Sequence, residues 1–263
     1  QAIGSEASDQ KQTSICVGYD GRLSSPDLCD ALTKGLLSTG IDVINIGLVT
    51  TPMLYFSTHE LKTNTGIMIT GSHNPPEYNG FKIVINAKTL SSKQIQDLYK
   101  RIIDRNFSKG NGFLTHKKIR SQYLAKIYEE INLKRPMKVT IDCGNGAAGV
   151  CAEDLFKGLN VEVETLFGEV DGHFPNHHPD PSNPSNLIDL QKNLAKTKSE
   201  IGLAFDGDAD RLGVVTKSGE IIYPDRQLLL FSEWVLKENP GATVIFDVKS
   251  TRHLFKWIRD KGG

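Results

Sequence analysis

Residues 201–215 read Ile201-Gly202-Leu203-Ala204-Phe205-Asp206-Gly207-Asp208-Ala209-Asp210-Arg211-Leu212-Gly213-Val214-Val215. The two apolar ends have the length and bulk of buried strands. Between them stand three carboxylates at alternate positions, followed by a fixed positive charge. Alternate residues of an extended loop can turn their side chains towards one point. Carboxylates crowded there repel one another and take up protons unless a cation neutralises them. Hard carboxylate oxygens suit Mg2+, Mn2+ or Ca2+ rather than thiophilic metals. An EF-hand also opens D-x-D-x-D, but it requires Gly at its sixth position and Glu at its twelfth. Here those places hold Arg211 and Lys217, so that reading fails. A solvated acidic turn is the plainer alternative, and the flanking strands argue against it. Such a turn does not require Arg211 at the mouth of the next strand, where a planar guanidinium suits a phosphate.

A second strand-to-loop junction lies upstream. Ile67-Met68-Ile69 reads as a short buried strand, and Thr70-Gly71-Ser72-His73-Asn74-Pro75 as the loop after it, with Gly71 permitting the sharp turn. A hydrolase nucleophile elbow reads G-x-S-x-G, but Asn74 occupies the place of its second Gly. His73 is adjacent to Ser72 in sequence, so its ring need not face the hydroxyl. Standing alone, the motif is equally an ordinary Ser/Asn/Pro turn. Lys82 leads into the strand Ile83-Val84-Ile85. A solvated strand end, a proton shuttle and a phosphate partner are all open to it. Together the loop hydroxyl and the acid cluster suggest a serine that carries a phosphoryl group beside a divalent metal.

Outward from these loops the chain alternates strand and helix patterns. Residues 14–19 read as a strand and 27–37 as a helix, with Ser24 or Ser25 as its cap and Pro26 in its first turn. Residues 43–46 read as the next strand, and Pro52 opens another helix. Ile95, Leu98, Tyr99, Ile102 and Ile103 recur at helical spacing after Ser91-x-x-Gln94, which resembles a capping box. Lys109-Gly110-Asn111-Gly112 breaks the pattern, and a helix over 119–131 bridges into strands that begin at Met137. After the acid loop, 220–223, 225–237 and 243–248 read as one β-α-β passage, and 252–259 as a further helix.

Two further signals are weaker. Gly144-Asn145-Gly146-Ala147-Ala148-Gly149 satisfies G-x-G-x-x-G between a strand and a helix, with Glu162 and Glu164 near the place of a ribose-binding acid. An NAD-binding oxidoreductase is therefore the runner-up by local pattern. Glycines that allow close packing at a helix start explain the same residues, and a dehydrogenase has no use for Ser72 or the acids. His173, His177 and His178 lie in a Pro/Asn-rich loop over 168–186, at a spacing that matches no standard zinc site. No catalytic role is assigned to that loop.

The formal net charge is +0, which gives no sign of a nucleic-acid or acidic-membrane partner. No apolar run approaches the ~20 residues of a membrane span, and residues 1–10 lack a signal-peptide core. The four cysteines form no C-x-x-C, and Cys16 and Cys143 sit in strand-like runs, so reduced thiols in the cytoplasm are expected.

TGSHNPPEYNGFK (70–82), DCGNGAAG (142–149), FPNHHPDP (174–181) and FDGDADR (205–211) occur in that order. Together they resemble the alpha-D-phosphohexomutase family, most closely its bacterial phosphomannomutase/phosphoglucomutase branch, over nearly the whole chain. The resemblance implies that Ser72 is phosphorylated in the resting enzyme and that Mg2+ bridges it to Asp206, Asp208 and Asp210. It implies that Arg211 holds the phosphoserine and that Lys82 assists proton transfer. His73 matches the histidine after the family serine. Lys249 matches a position that can contact substrate phosphate, although a strand-end lysine is more often simply solvated. The implied reaction moves phosphate reversibly between the 1- and 6-positions of mannose or glucose, through glucose or mannose 1,6-bisphosphate. Phosphoglucosamine and other phosphosugar mutases share similar motifs. A metal-dependent phosphatase and a non-catalytic binding module are the alternatives of other classes.

The expected fold is α/β, with consecutive Rossmann-like layered domains, mixed sheets and an active site in the cleft between them. Domain 1 is placed at 1–116, domain 2 at 117–216, and the incomplete start of a third at 217–263. The family continues into domains that read the sugar and its remote phosphate, so residues 1–263 alone are expected to turn over little. A hexose phosphate is the expected partner, and a monomer the expected state.

Overall fold

A computed structural model describes residues 1–263. Its first sheet grows from β1 (Ser14–Tyr19), whose Ile15, Cys16 and Val17 are all fully buried. A strand buried on both faces needs helices above and below, which is the arrangement of parallel layered folds. The chain supplies them in alternation: α2 (Ser25–Leu37), β2 (Asp42–Leu48), α3 (Thr51–Glu60) and β3 (Gly66–Ile69). β1 runs parallel to β2 and β3, and β4 (Phe81–Ile85) returns antiparallel beside β3. With β5 (Lys88–Thr89) and β6 (Leu114–His116) at the edges, the order is β5-β4-β3-β1-β2-β6. Ile15, Val17, Ile67 and Ile69 pack with Ala7 of α1 (Ala2–Asp9), Leu36 of α2 and Leu98 of α4 (Ser92–Ile103). The alternate side chains Cys16 and Met68 pack on the other face with Met53 and Leu54 of α3 and with Ile119, Tyr123 and Leu124 at α5 (Arg120–Glu130).

The second sheet repeats the plan. Central β7 (Met137–Asp142) is parallel to β8 (Val161–Leu166) and β9 (Ile201–Phe205), while β10 (Leu212–Thr216) returns antiparallel beside β9. α6 (Ala152–Gly158) and α7 (Ile188–Lys196) cover it, and β11 (Ile221–Ile222) completes the order β11-β10-β9-β7-β8. The serine loop joins β3 to β4 and the acid loop joins β9 to β10. Each therefore leaves the last parallel strand of its sheet at the point where the chain reverses.

Two local expectations are corrected. Residues 243–248 form no strand, and Ile245 and Val248 are 89% and 98% exposed. Their β-branched and apolar run, Thr243-Val244-Ile245-Phe246, fits a strand, but a strand needs a neighbour for its backbone groups, and none runs beside them here. Ile221–Ile222 pair with Val214 and Val215, so they belong to the second sheet rather than to a separate crossover. α8 (Pro224–Glu238) and α9 (His253–Asp260) pack around Leu236, Leu254 and Ile258. The helix α4 forms as the pattern predicts, and Gln94 accepts from the Ser91 backbone N–H at 2.8 Å. Of its apolar stripe only Leu98 is buried, because the helix rests largely beside α1. No helix is long and apolar enough to cross a membrane. All four cysteines are free and buried, and burial pushes the Cys143 thiol up to about 12 and Cys151 to about 11.

Candidate active site

Ser72 adopts a left-handed backbone, φ +49°, which costs a non-glycine residue energy and persists only where neighbours enforce it. The enforcement begins one turn earlier. The Thr70 hydroxyl accepts from the Ser72 N–H at 2.7 Å and itself donates to Asp20 at 2.8 Å. Asp20 also accepts from the Gly71 N–H. Thr70 N–H to Gly80 carbonyl, 3.0 Å, closes the base of the loop. So held, the Ser72 hydroxyl points out of its own sheet and donates to Asp206 Oδ2 at 2.9 Å.

The acid loop is folded to converge. Asp206 Oδ1 accepts the backbone N–H groups of Asp210 and Arg211, both at 3.0 Å, which curls the loop about its first carboxylate. Ala209 takes φ +61° at the turn. As a result, oxygens of Asp206, Asp208 and Asp210 lie within 4.8 Å of one another. Asp206 and Asp208 are fully buried and Asp210 is exposed. Lys82 Nζ bridges Asp208 and Asp210, at 2.6 Å to each. Thr51, at the start of α3, binds the same loop twice: its N–H reaches the Asp208 carbonyl at 2.9 Å and its hydroxyl the Asp208 carboxylate.

The charges are unbalanced as they stand. Burial, with Asp208 and Asp210 beside it, pushes the Asp206 carboxyl up to about 7. Burial acts on Asp208 in the same direction, but hydrogen bonds from Lys82 and Thr51 outweigh it and hold that carboxyl below its ordinary value. Burial opposes the Lys82 charge too, yet Asp208 and Asp210 prevail and raise its pKa, so it is an ammonium at neutral pH. Asp208 Oδ1 remains buried with no partner. An orphaned carboxylate oxygen in a converging all-oxygen donor set fits a hard divalent cation. The three acids are thus able to hold a metal ion.

The other sequence candidates are placed unequally. Arg211 is exposed and lines a groove of about 450 Å3 with Asp210, Tyr223, Gln227 and Phe231, directly beside the acid loop. The His73 ring does not engage the Ser72 hydroxyl; its Nδ1 is buried without a partner. Lys249 stands apart: its side chain is 86% exposed and reaches only Asp247, at 3.9 Å. The glycine fingerprint is filled by protein. The Ala147 N–H donates to the Gly207 carbonyl at 2.9 Å, and a Cβ on Gly146 would meet that oxygen at 2.9 Å. Gly146 serves the close approach of the acid loop, while Gly144 lies against Pro179 and His177 and Gly149 against Gly168.

Three contributors were missed by the sequence reading. They are Thr51, Arg22 beneath the serine loop, and the histidine-rich segment, whose His178 Nε2–H donates to the His73 carbonyl. One signal could have found the first two. Asp20-Gly21-Arg22 follows β1 and Thr51 follows β2, at the carboxyl ends of parallel strands where layered α/β folds place their sites.

Comparison with known proteins agrees with this arrangement. Residues 1–109 match phosphoglucomutase/phosphomannomutase alpha/beta/alpha domain I, and residues 121–219 match alpha/beta/alpha domain II. The chain is 54% identical to a phosphoglucomutase of Neisseria meningitidis, across 100% of this chain and 58% of that protein. It is 49% identical to a phosphomannomutase/phosphoglucomutase of Pseudomonas aeruginosa, across 100% of this chain and 57% of that protein. A crystal structure of a phosphoglucomutase/phosphomannomutase family protein from Burkholderia thailandensis superposes with a TM-score of 0.96 at 50% identity, covering 100% of this chain and 59% of that one. The chain therefore spans somewhat over half the length of these relatives.

Proposed function

The chain belongs to the phosphoglucomutase/phosphomannomutase family, and from that premise we propose that it carries the phosphoryl-transfer centre of a reversible phosphohexomutase. The observation that carries the reading is the Ser72 hydroxyl, on a left-handed turn, 2.9 Å from the buried Asp206 of a three-carboxylate cluster. The substrate is a hexose monophosphate of the glucose or mannose type. Its free O6 attacks the phosphorus held on Ser72. The new O6–P bond forms as the P–Oγ bond breaks; the proton of the O6 hydroxyl passes to a carboxylate of the cluster, and Ser72 Oγ takes up one in its place. A hexose 1,6-bisphosphate results. It turns over within the site, the 1-phosphate passes back to Ser72, and the 6-phosphate leaves.

Asp206, Asp208 and Asp210, with Ser72 Oγ, would hold Mg2+. When bound, the ion supplies positive charge that neutralises the transferring phosphoryl group. The protein's own groups do the rest. Ser72 already gives its hydrogen to Asp206 Oδ2, so that carboxylate can take the proton when Oγ becomes nucleophilic. Lys82 is an ammonium within reach of the same cluster, placed to stabilise or protonate a departing oxygen. Arg211, free on the groove beside Asp210, is placed to hold phosphate oxygens with its planar fork. The setting we propose is the cytoplasm. The units are proposed as 1–116, 117–216 and the residues beyond, of which β11 (Ile221–Ile222) is joined to the sheet of the second.

One assay separates this from a metal-dependent phosphatase. Full-length protein is given hexose 1-phosphate, Mg2+ and a trace of hexose 1,6-bisphosphate. The expected product is hexose 6-phosphate. Release of inorganic phosphate with no 6-phosphate overturns the proposal.

A further inference from the structure

Arg22 is the largest fully buried side chain, 1% exposed, in a segment to which the reaction gives no role. A guanidinium has five N–H donors and no acceptor. Here every donor is used. Nε donates to Asp20 at 3.2 Å, Nη1 to the Pro75 and Tyr78 carbonyls at 2.5 and 2.9 Å, and Nη2 to the Ser72 and Asn74 carbonyls at 2.8 and 2.6 Å. Four carbonyls of a single short loop thus turn inward onto one cation. Between Gly71 and Tyr78 the loop's own backbone supplies few bonds. Pro75 and Pro76 have no N–H, and the backbone bonds within it are Asn74 to Gly71 and Tyr78 to Pro75. A Cβ on Gly71 would lie 2.5 Å from Arg22 Cζ, so the glycine is needed for the loop to close over the guanidinium.

From this geometry we infer that Arg22 is a positioning residue for the phosphoryl-carrying serine: the loop that presents Ser72 folds around its buried guanidinium. The consequence for catalysis rests on the function proposed above; the ordering of the loop does not. Arg22 cannot bind substrate, because no donor is left and no surface is exposed. It acts through Ser72, whose carbonyl it grips at 2.8 Å and whose left-handed turn that grip helps to maintain. Asp20 is shared: it accepts from Arg22, Thr70 and Gly71, so the guanidinium and the residues before Ser72 share one carboxylate. The loop after β8 covers it, with the Phe174 ring centroid 5.3 Å from the guanidinium carbon. Lysine cannot replace this arrangement. Its ammonium has three donors on a point charge, where the loop requires a planar fork with five.

The test uses full-length protein and the variants Arg22→Lys and Arg22→Ala. Arg22→Lys keeps a charge beside Asp20 and serves if Arg22→Ala does not fold. Misplacing a reacting group by about 1 Å costs on the order of 100-fold in rate. Arg22→Lys is therefore expected to lower kcat roughly 100-fold with KM little changed. Amide hydrogen exchange over 71–80 should quicken about tenfold, while exchange in β1 and β7 stays as in the wild type. In Arg22→Ala, added guanidinium ion should restore part of kcat, and methylammonium should not. Wild-type kcat in Arg22→Lys, or a loss confined to KM, overturns the inference. So does faster exchange spread evenly over the first sheet, which is the mark of a merely structural ion pair. If wild-type protein shows no mutase turnover, the proposed function falls, and the exchange experiment alone decides Arg22.

Discussion

The Ser72 hydroxyl donates to Asp206 Oδ2 at 2.9 Å, although the two residues are 134 positions apart. The contact joins two loops that occupy the same place in two sheets of the same plan. Ser72 leaves β3 where the chain reverses into β4, and Asp206 leaves β9 where it reverses into β10. A nucleophile from one layered unit thereby meets the cation-binding acids of the next. Neither unit alone contains both parts.

The nucleophile is the first point to test. In full-length protein, Ser72→Ala is expected to lower turnover by at least about 10³-fold. Stability should change by no more than about 0.5 kcal/mol, since the hydroxyl contributes little packing. Intact mass and phosphopeptide mapping of the wild type should place a substoichiometric phosphate on Ser72. A phosphate mapped only elsewhere refutes the assignment.

The metal site makes a prediction through Thr51. Its hydroxyl orients the Asp208 carboxylate, and losing such an outer partner weakens metal binding by about 10–100-fold. Thr51→Val is expected to fall in that range and Asp208→Asn below it. Mg2+ at about 100 times its Kd should stabilise the wild type by about 2.7 kcal/mol and Asp208→Asn hardly at all. Thermal melts with Mg2+ or EDTA measure both. Equal melting temperatures in Mg2+ and EDTA for the wild type would remove the three-carboxylate site.

Lys82 predicts an effect of the opposite sign. Its ammonium bridges Asp208 and Asp210 and so competes with any cation for those acids. Two unit charges about 4 Å apart near a surface interact by about 4 kcal/mol before screening, and Lys82 is partly exposed, so a fraction of that is realised. Lys82→Met is expected to bind Mg2+ several-fold more tightly while kcat falls. Calorimetric titration gives the first and steady-state rates the second. Weaker Mg2+ binding in Lys82→Met would show that the lysine and the ion do not share the acids.

What the sequence disclosed follows a physical rule. Ser72 and the three acids were legible because each loop carries its chemistry within a few residues, bounded by runs too apolar to lie at the surface. The alternation of helices and strands was legible for the same reason: strands at the centre of a layered sheet leave short apolar runs, as in β1 and β9. Arg22 was not legible. Asp-Gly-Arg reads as a polar turn, and its meaning lies in four carbonyls 50 to 56 positions away. Thr51 was hidden likewise, since its partner is Asp208, 157 positions on. Residues 243–248 were misread because a β-branched and apolar run describes what a strand needs from its side chains and says nothing of a neighbour at its edge.

The histidine-rich loop, which sequence alone left without a role, yields the last prediction. His177 Nε2 faces both oxygens of the buried Asp142, at 3.2 and 3.1 Å, and Nδ1 faces the His178 carbonyl at 2.9 Å. Both partners can only accept, so both ring nitrogens must carry protons for both contacts to be made. Burial by itself lowers the pKa of this ring. The Asp142 hydrogen bond and charge, the His178 carbonyl and the more distant Asp189 outweigh it, and the net shift is upward. The Phe167 ring packs against the imidazole in a T-shaped arrangement, ring centroids 5.3 Å apart. A folded pKa above the unfolded one means stability that is fully present below the unfolded value of about 6.5 and is lost as pH rises through the folded value. A hydrogen bond to a charged group contributes about 1.5–3 kcal/mol, less where water reaches it. Replacing His177 by Gln should therefore lower the melting temperature by several degrees at pH 5.5 and by clearly less at pH 9. A stability gap between wild type and His177→Gln that is constant from pH 5.5 to 9, or that widens with pH, would show that His177 is neutral in the fold.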